Sequence, residues 1–164
     1  MSFGEGSGTE YETARARDWP SVRQYNVFLE NRLGALMDLV RRFESTDIRI
    51  VALMIVESAD CAIIRLVLND AERAVEVFEQ GKMAYSESDL LVVKLPEGNQ
   101  PIAQICKALL AAEINIHYAY PLLVGPHGSK ALALHVEDHE LAMNTLSKMD
   151  FTLFGENDLI EDFS

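Results

Sequence analysis

Residues 34–50 read GALMDLVRRFESTDIRI and residues 100–116 read QPIAQICKALLAAEINI, the same pattern displaced by 66 positions. Leu36, Leu39, Val40 and Phe43 stand over Ile102, Ile105, Cys106 and Leu109, and Asp47-Ile48-Arg49-Ile50 stands over Glu113-Ile114-Asn115-Ile116. The first set falls at i, i+3, i+4 and i+7, one apolar stripe along a helix. The second set opens a strand. At an offset of 68, Leu68-Asn69-Asp70-Ala71-Glu72 stands over Val136-Glu137-Asp138-His139-Glu140, with Ala74 and Phe78 over Ala142 and Leu146. The two added residues sit in the turn Gly125-Pro126-His127-Gly128-Ser129, because surface loops absorb insertions at small entropic cost. A self-match at a fixed period marks one supersecondary unit written twice.

Outward from these stretches, the period switches between 2 and 3.6 in the same order in both copies. In the first, 22–29 is a strand, 48–56 and 61–68 form a hairpin across the polar turn Glu57-Ser58-Ala59-Asp60, and Asn69 or Asp70 caps a second helix that Gly81 ends. A short strand near 83–85 closes the copy. In the second, 90–95 is a strand, 102–112 a helix, 114–124 and 131–136 a hairpin, 141–149 a helix and 151–154 a strand. The expected fold is α+β: two ferredoxin-like βαββαβ units in tandem, antiparallel sheets with helices on one face. The expected organisation is a flexible tail over 1–20, units over 21–88 and 89–157, and a solvated acidic tail over 158–164. Units of this size are marginal alone, so a second layer or a paired sheet edge is expected to hide the open sheet face, with the two copies packed on each other and the pair dimerised.

The chain has 164 residues, 14 Lys+Arg against 26 Asp+Glu and a formal net charge of -12. That field disfavours nucleic acid and anionic membranes as partners. No stretch is long and apolar enough to span a bilayer, and the first residues lack the pattern of a secretion signal, so a cytoplasmic protein is expected. Cys61 and Cys106 belong to no CxxC pair and fit reduced, small apolar residues, with Cys106 expected on the core stripe of its helix.

The run Val27-Phe28-Leu29-Glu30-Asn31-Arg32-Leu33-Gly34-Ala35-Leu36, followed by Asp47-Ile48-Arg49-Ile50, resembles the opening of an ACT domain. Residues 95–102 with Ala112-Glu113-Ile114-Asn115-Ile116, and the ending 151–159, carry the same likeness. The resemblance implies a regulatory module that binds an amino acid or similar metabolite between paired domains, using the loop between the first strand and first helix. Carried onto this chain, the ligand-binding residues are Asn31, Arg32, Leu33, Gly34, Ala35 and Leu36, and in the second copy Asn99, Gln100 and Ile102. Leu33 stands where the family usually has Pro, and Gln100 stands at the position of Gly34. The resemblance also implies a homodimer and, as an alternative role, a subunit docking a biosynthetic enzyme such as an acetolactate synthase-type catalytic subunit.

Independently of the family, a helix opening offers unpaired N–H groups to a carboxylate. Gly34 permits close approach, Asn31 supplies an amide and Arg32 a charge-assisted bond. The plainer reading is a cap and a tight turn. His117 and His135 are expected on the helix-free face, with Tyr118 and Tyr120 turned toward the helices, and a third metal ligand is not evident. Arg65, between Ile64 and Leu66, is expected to pair with a carboxylate or to meet a ligand or partner. No constellation of acid, base and nucleophile suggests catalysis, and no metal or cofactor is expected.

Overall fold

The computed structural model describes residues 20–163; residues 1–19, which make up nearly all of the expected N-terminal tail, lie outside the described residues. The first unit runs through β1 (Val22–Glu30), α1 (Ala35–Glu44), β2 (Ile50–Glu57), β3 (Cys61–Leu68), α2 (Ala71–Gln80) and the first half of β4 (Ala84–Lys94). The second takes up the rest of β4 and continues through α3 (Pro101–Ala111), β5 (Ile116–Pro121), β6 (Ala131–Val136), α4 (His139–Lys148) and β7 (Leu153–Phe154), with α5 (Glu156–Phe163) following. All pairings are antiparallel, in the order β2-β3-β1-β4-β6-β5, with β7 also on β4. Each half is thus the βαββαβ unit read from the sequence. No helix among the described residues is long and apolar enough to cross a membrane.

The duplication extends to single backbone bonds. Asn69 N–H donates to the Arg49 carbonyl at 3.2 Å as Glu137 N–H donates to that of Asn115 at 2.9 Å. Met83 N–H donates to Phe78 and Phe151 N–H to Leu146, both at 3.0 Å.

One strand serves both units. The expected short strand near 83–85 and the expected strand over 90–95 are a single strand of 11 residues. The polar run Ser86-Glu87-Ser88-Asp89, which reads as a break, is fully paired, with Ser86 opposite Asn26 and Asp89 opposite Arg23. The division expected after residue 88 therefore falls inside β4.

Alternation along the strands sorts three cores. Toward the helices of the first unit, Tyr25, Val27, Ile64 and Leu66 meet Leu39, Phe43, Ala74 and Phe78. Toward those of the second, Leu91, Val93, Leu132 and Leu134 meet Ile105, Leu109, Ala142 and Leu146. The stripe on α3 is Ile105, Ala108 and Leu109, which leaves Cys106 exposed rather than in the core. The third core joins the helix-free faces: Val22, Val51, Ala52 and Val67 of one unit pack with Tyr120, Ala131, Ala133 and Phe154 of the other. The sheet curls until Leu123 N–H donates to the Val51 carbonyl at 2.7 Å, so the bare faces cover each other within one chain.

Two further expectations are corrected. The ladder between β5 and β6 shifts register between Ile116 and Tyr118, a bulge that reverses the alternation. Tyr118 and Tyr120 consequently face the inner core and not the helices. The acidic tail is helix through residue 163, and its Leu159 is 1% exposed against the inner core. Asp158 Oδ2 accepts from Gly155 N–H at 2.8 Å to start that helix, and Arg23 grips Glu156 through Nε at 2.7 Å and Nη2 at 2.8 Å.

Candidate functional site

The chain leaves β1 through Asn31-Arg32-Leu33 and enters α1 at Gly34, whose φ of 85° is the left-handed conformation glycine adopts without penalty. No side chain caps α1, and a Cβ built on Gly34 would meet nothing within 4 Å. The opening of α3 at Gln100 is likewise uncapped, and Pro101 removes one of its donors. The second helix of each unit is closed instead: Asp70 accepts from Arg73 N–H at 3.2 Å and Asp138 from Leu141 N–H at 3.0 Å. An aspartate thus satisfies one opening N–H on each second helix, whereas no side chain caps either first helix.

A cleft lies beside each open helix. The first, about 650 Å³, runs between the end of β1 and the turn after α2; Arg32, Arg41, Arg42 and Lys82 line it, with Glu30 and Asp38 as its acids. Four cations in one cleft stand out in a chain with a net charge of -12. Arg32 is engaged by Asp38 at 2.7 Å and lies 3.7 Å from Glu30, and the bond to Asp38 pushes its pKa up further. The matching cleft of the second unit, about 320 Å³, is lined by Lys94, Glu97, Gln104 and Asp150 among others. There Gln104 Nε2 donates to the Glu97 carbonyl at 2.9 Å and folds the loop onto its own helix.

Of the residues expected to bind ligand, Arg32 and Ala35 line the first cleft. Asn31 is turned away, its amide donating to Glu57 Oε1 at 3.1 Å and to the Ser58 carbonyl at 3.4 Å. Leu33 is fully exposed, Leu36 is half-buried along the helix, and Asn99, Gln100 and Ile102 sit at the exposed mouth of α3 without lining its cleft. Sequence reasoning missed Arg41, Arg42 and Lys82. The repeat offered a signal for Lys82: it aligns at an offset of 68 with Asp150, which lines the other cleft.

The family model described as ACT domain pair matches residues 20–162. The chain belongs to that family. The ACT pair shares its fold with protein BT0572 from Bacteroides thetaiotaomicron, at 22% identity and a TM-score of 0.77 over 86% of this chain and 96% of that one. It also resembles the ligand-free regulatory subunit of aspartate kinase from Thermus thermophilus, at 11% identity and a TM-score of 0.51 over 78% of this chain and 91% of that one. No curated protein matches it.

A second constellation of the ACT pair lies on the inner face, where the two units meet. Gln24 and Asn26 of β1 are buried, with Arg65 of β3 opposite Asn26 and Tyr118 of β5 reaching across. Gln24 Nε2 donates to Asn26 Oδ1 at 2.8 Å and to the Tyr118 hydroxyl at 2.7 Å, and its Oε1 accepts from the Tyr120 hydroxyl at 2.6 Å. Arg65 Nη1 donates to Asn26 Oδ1 at 2.8 Å and to the Tyr118 hydroxyl at 3.0 Å, while its guanidinium carbon lies 4.4 Å from the centre of the Tyr118 ring. Tyr118 stacks on His135 at 4.8 Å, and His135 lies 5.4 Å from His117. Burial, then the neighbouring His117 and Arg65, push the His135 pKa down. Contrary to the expectation of a carboxylate partner, Arg65 has only neutral ones among the described residues.

Proposed function

We propose that this ACT pair is a regulatory sensor that binds an amino acid or a related small metabolite beside the opening of α1. The carrying observation is the asymmetry of helix ends: both first helices open uncapped beside clefts, whereas an aspartate side chain caps each second helix. An uncapped helix start beside a cleft lined by four cations suits a carboxylate. The acids Glu30 and Asp38 supply acceptors for an ammonium group. The first cleft is the better site, because Pro101 and Gln104 withdraw donors and space from the second.

Exposed Phe28 and Leu33 at the rim favour a second copy closing over the ligand in a homodimer. Binding would then act by preferring one packing of the units, in proportion to the ligand's differential affinity for the two. The likeness to an aspartate kinase regulatory subunit supports a second reading, in which a partner enzyme reads out that change. Co-purification of a large enzyme tests it.

Titration calorimetry with the twenty amino acids tests the sensor. At least one binds, and Gly34→Val, which strains the left-handed turn, weakens it at least tenfold while circular dichroism stays native. Silence across the panel would remove small-ligand sensing.

A further inference from the structure

We propose that the inner face between the two units carries a separate site for a small organic carboxylate that lacks an amino group, with Arg65 as its cation. Donor and acceptor counting leads there. Asn26 Oδ1 already accepts from Gln24 and Arg65, and Gln24 Oε1 accepts from Tyr120. Asn26 Nδ2 donates to Ser86 Oγ at 3.2 Å and to Ser88 Oγ at 3.0 Å, so both serine hydroxyls accept and keep their own hydrogens to give. The Tyr118 hydroxyl accepts twice, from Gln24 and Arg65, and its hydrogen also remains. Nη2 of Arg65 makes no hydrogen bond among the described residues, and its Nε is buried without one. Asn26 Oδ1 is spent, Gln24 Oε1 keeps one lone pair, and the donors are in surplus, around a positive charge that no acid among the described residues pairs with in a chain with 26 Asp+Glu.

A surplus of donors around one uncompensated cation calls for an anion. One cation matches a monoanion, and the hydroxyl donors match the lone pairs of a carboxylate. An α-ammonium would add a second positive charge beside Arg65 with no carboxylate among its partners to receive it, so the site selects against amino acids and toward 2-oxo acids or simple carboxylates. Arg65, Ser88 and Tyr118 are half-buried and Ser86 exposed, so the donors are reachable. Because the ligand would touch strands of both units, its binding would report on their packing.

Calorimetry on the full chain with pyruvate, acetate, alanine and inorganic phosphate tests this. Pyruvate and acetate bind, alanine binds this site at least tenfold more weakly, and phosphate does not displace pyruvate. Arg65→Gln lowers pyruvate affinity at least tenfold, and Tyr118→Phe, which keeps the ring and loses the donor, lowers it severalfold. Should Arg65→Gln fail to fold, Ser88→Ala and Tyr118→Phe carry the test. Gly34→Val leaves pyruvate binding unchanged, which separates this site from the α1 cleft. No heat with either carboxylate, unaltered pyruvate affinity in the inner-face variants, or displacement by phosphate would overturn the proposal.

Discussion

Gln24 on β1 and Tyr120 on β5, 96 residues apart in sequence, are joined by a buried hydrogen bond of 2.6 Å that ties one unit to the other. The phenol donates and the amide oxygen has no substitute. Tyr120→Phe therefore leaves a buried acceptor unsatisfied and costs about 1–3 kcal/mol, read as a lower midpoint in chemical denaturation. Tyr118→Phe removes the acceptor for two donors, Gln24 Nε2 and Arg65 Nη1, and costs a comparable amount.

Burial raises the Tyr120 and Tyr25 hydroxyl pKa values well above the ordinary tyrosine range. In the unfolded chain they ionise near pH 10, so above that pH the unfolded state has released protons the folded state still holds. Stability therefore falls as pH rises past about 10, and Tyr120→Phe flattens that fall. Equilibrium unfolding between pH 8 and 11 reads it.

The acid side follows from His135 and His139, both held below the ordinary histidine pKa, chiefly by burial. Unfolded, they take up protons below about pH 6.5 while the folded chain resists, so stability is intact above that pH and declines as pH falls. His139→Gln makes the decline shallower, measurable as melting temperature against pH from 7 to 5.

The aspartate caps predict paired effects. Asp70→Ala and Asp138→Ala each cost about 1 kcal/mol, and because the caps lie in different units the double variant costs about the sum. A large excess over the sum in denaturant titrations would show that the caps are not independent.

Leu159 is the anchor of α5 in the inner core. Leu159→Ala costs about 2–5 kcal/mol. Ile160→Ala, at a position 44% exposed, costs little. Thermal melts of the two variants distinguish a docked helix from a solvated tail.

The repeat was legible because matched residues perform matched backbone tasks. Lys82 and Asp150 share nothing chemically, yet both take the left-handed conformation, at φ 51° and 63°, after their helices. What stayed hidden depends on contacts remote in sequence. Ser86 to Asp89 look like a linker because their polarity serves the partly solvated inner face and the rim, not a break in the strand. The bulge at His117 leaves no mark in composition, and it turned Tyr118 and Tyr120 to the face opposite the one their alternation suggests. Arg65 was recognised as anomalous in an apolar strand; its neutral partners, 39 and 53 residues away, were beyond any local pattern. At the α1 loop the spacing located the helix opening and Arg32, while the other three cations of the cleft come from α1's last turn and from the turn after α2.

The most direct test of the sensor is an amide chemical-shift titration of the full chain with whichever amino acid calorimetry selects. The account predicts saturating shifts concentrated at residues 34–37, the opening of α1, and at residues 81–84, which line the first cleft, with smaller changes along the rest of β4. Shifts absent from the opening of α1, or clustered at the Asp-capped helices α2 and α4, would contradict it.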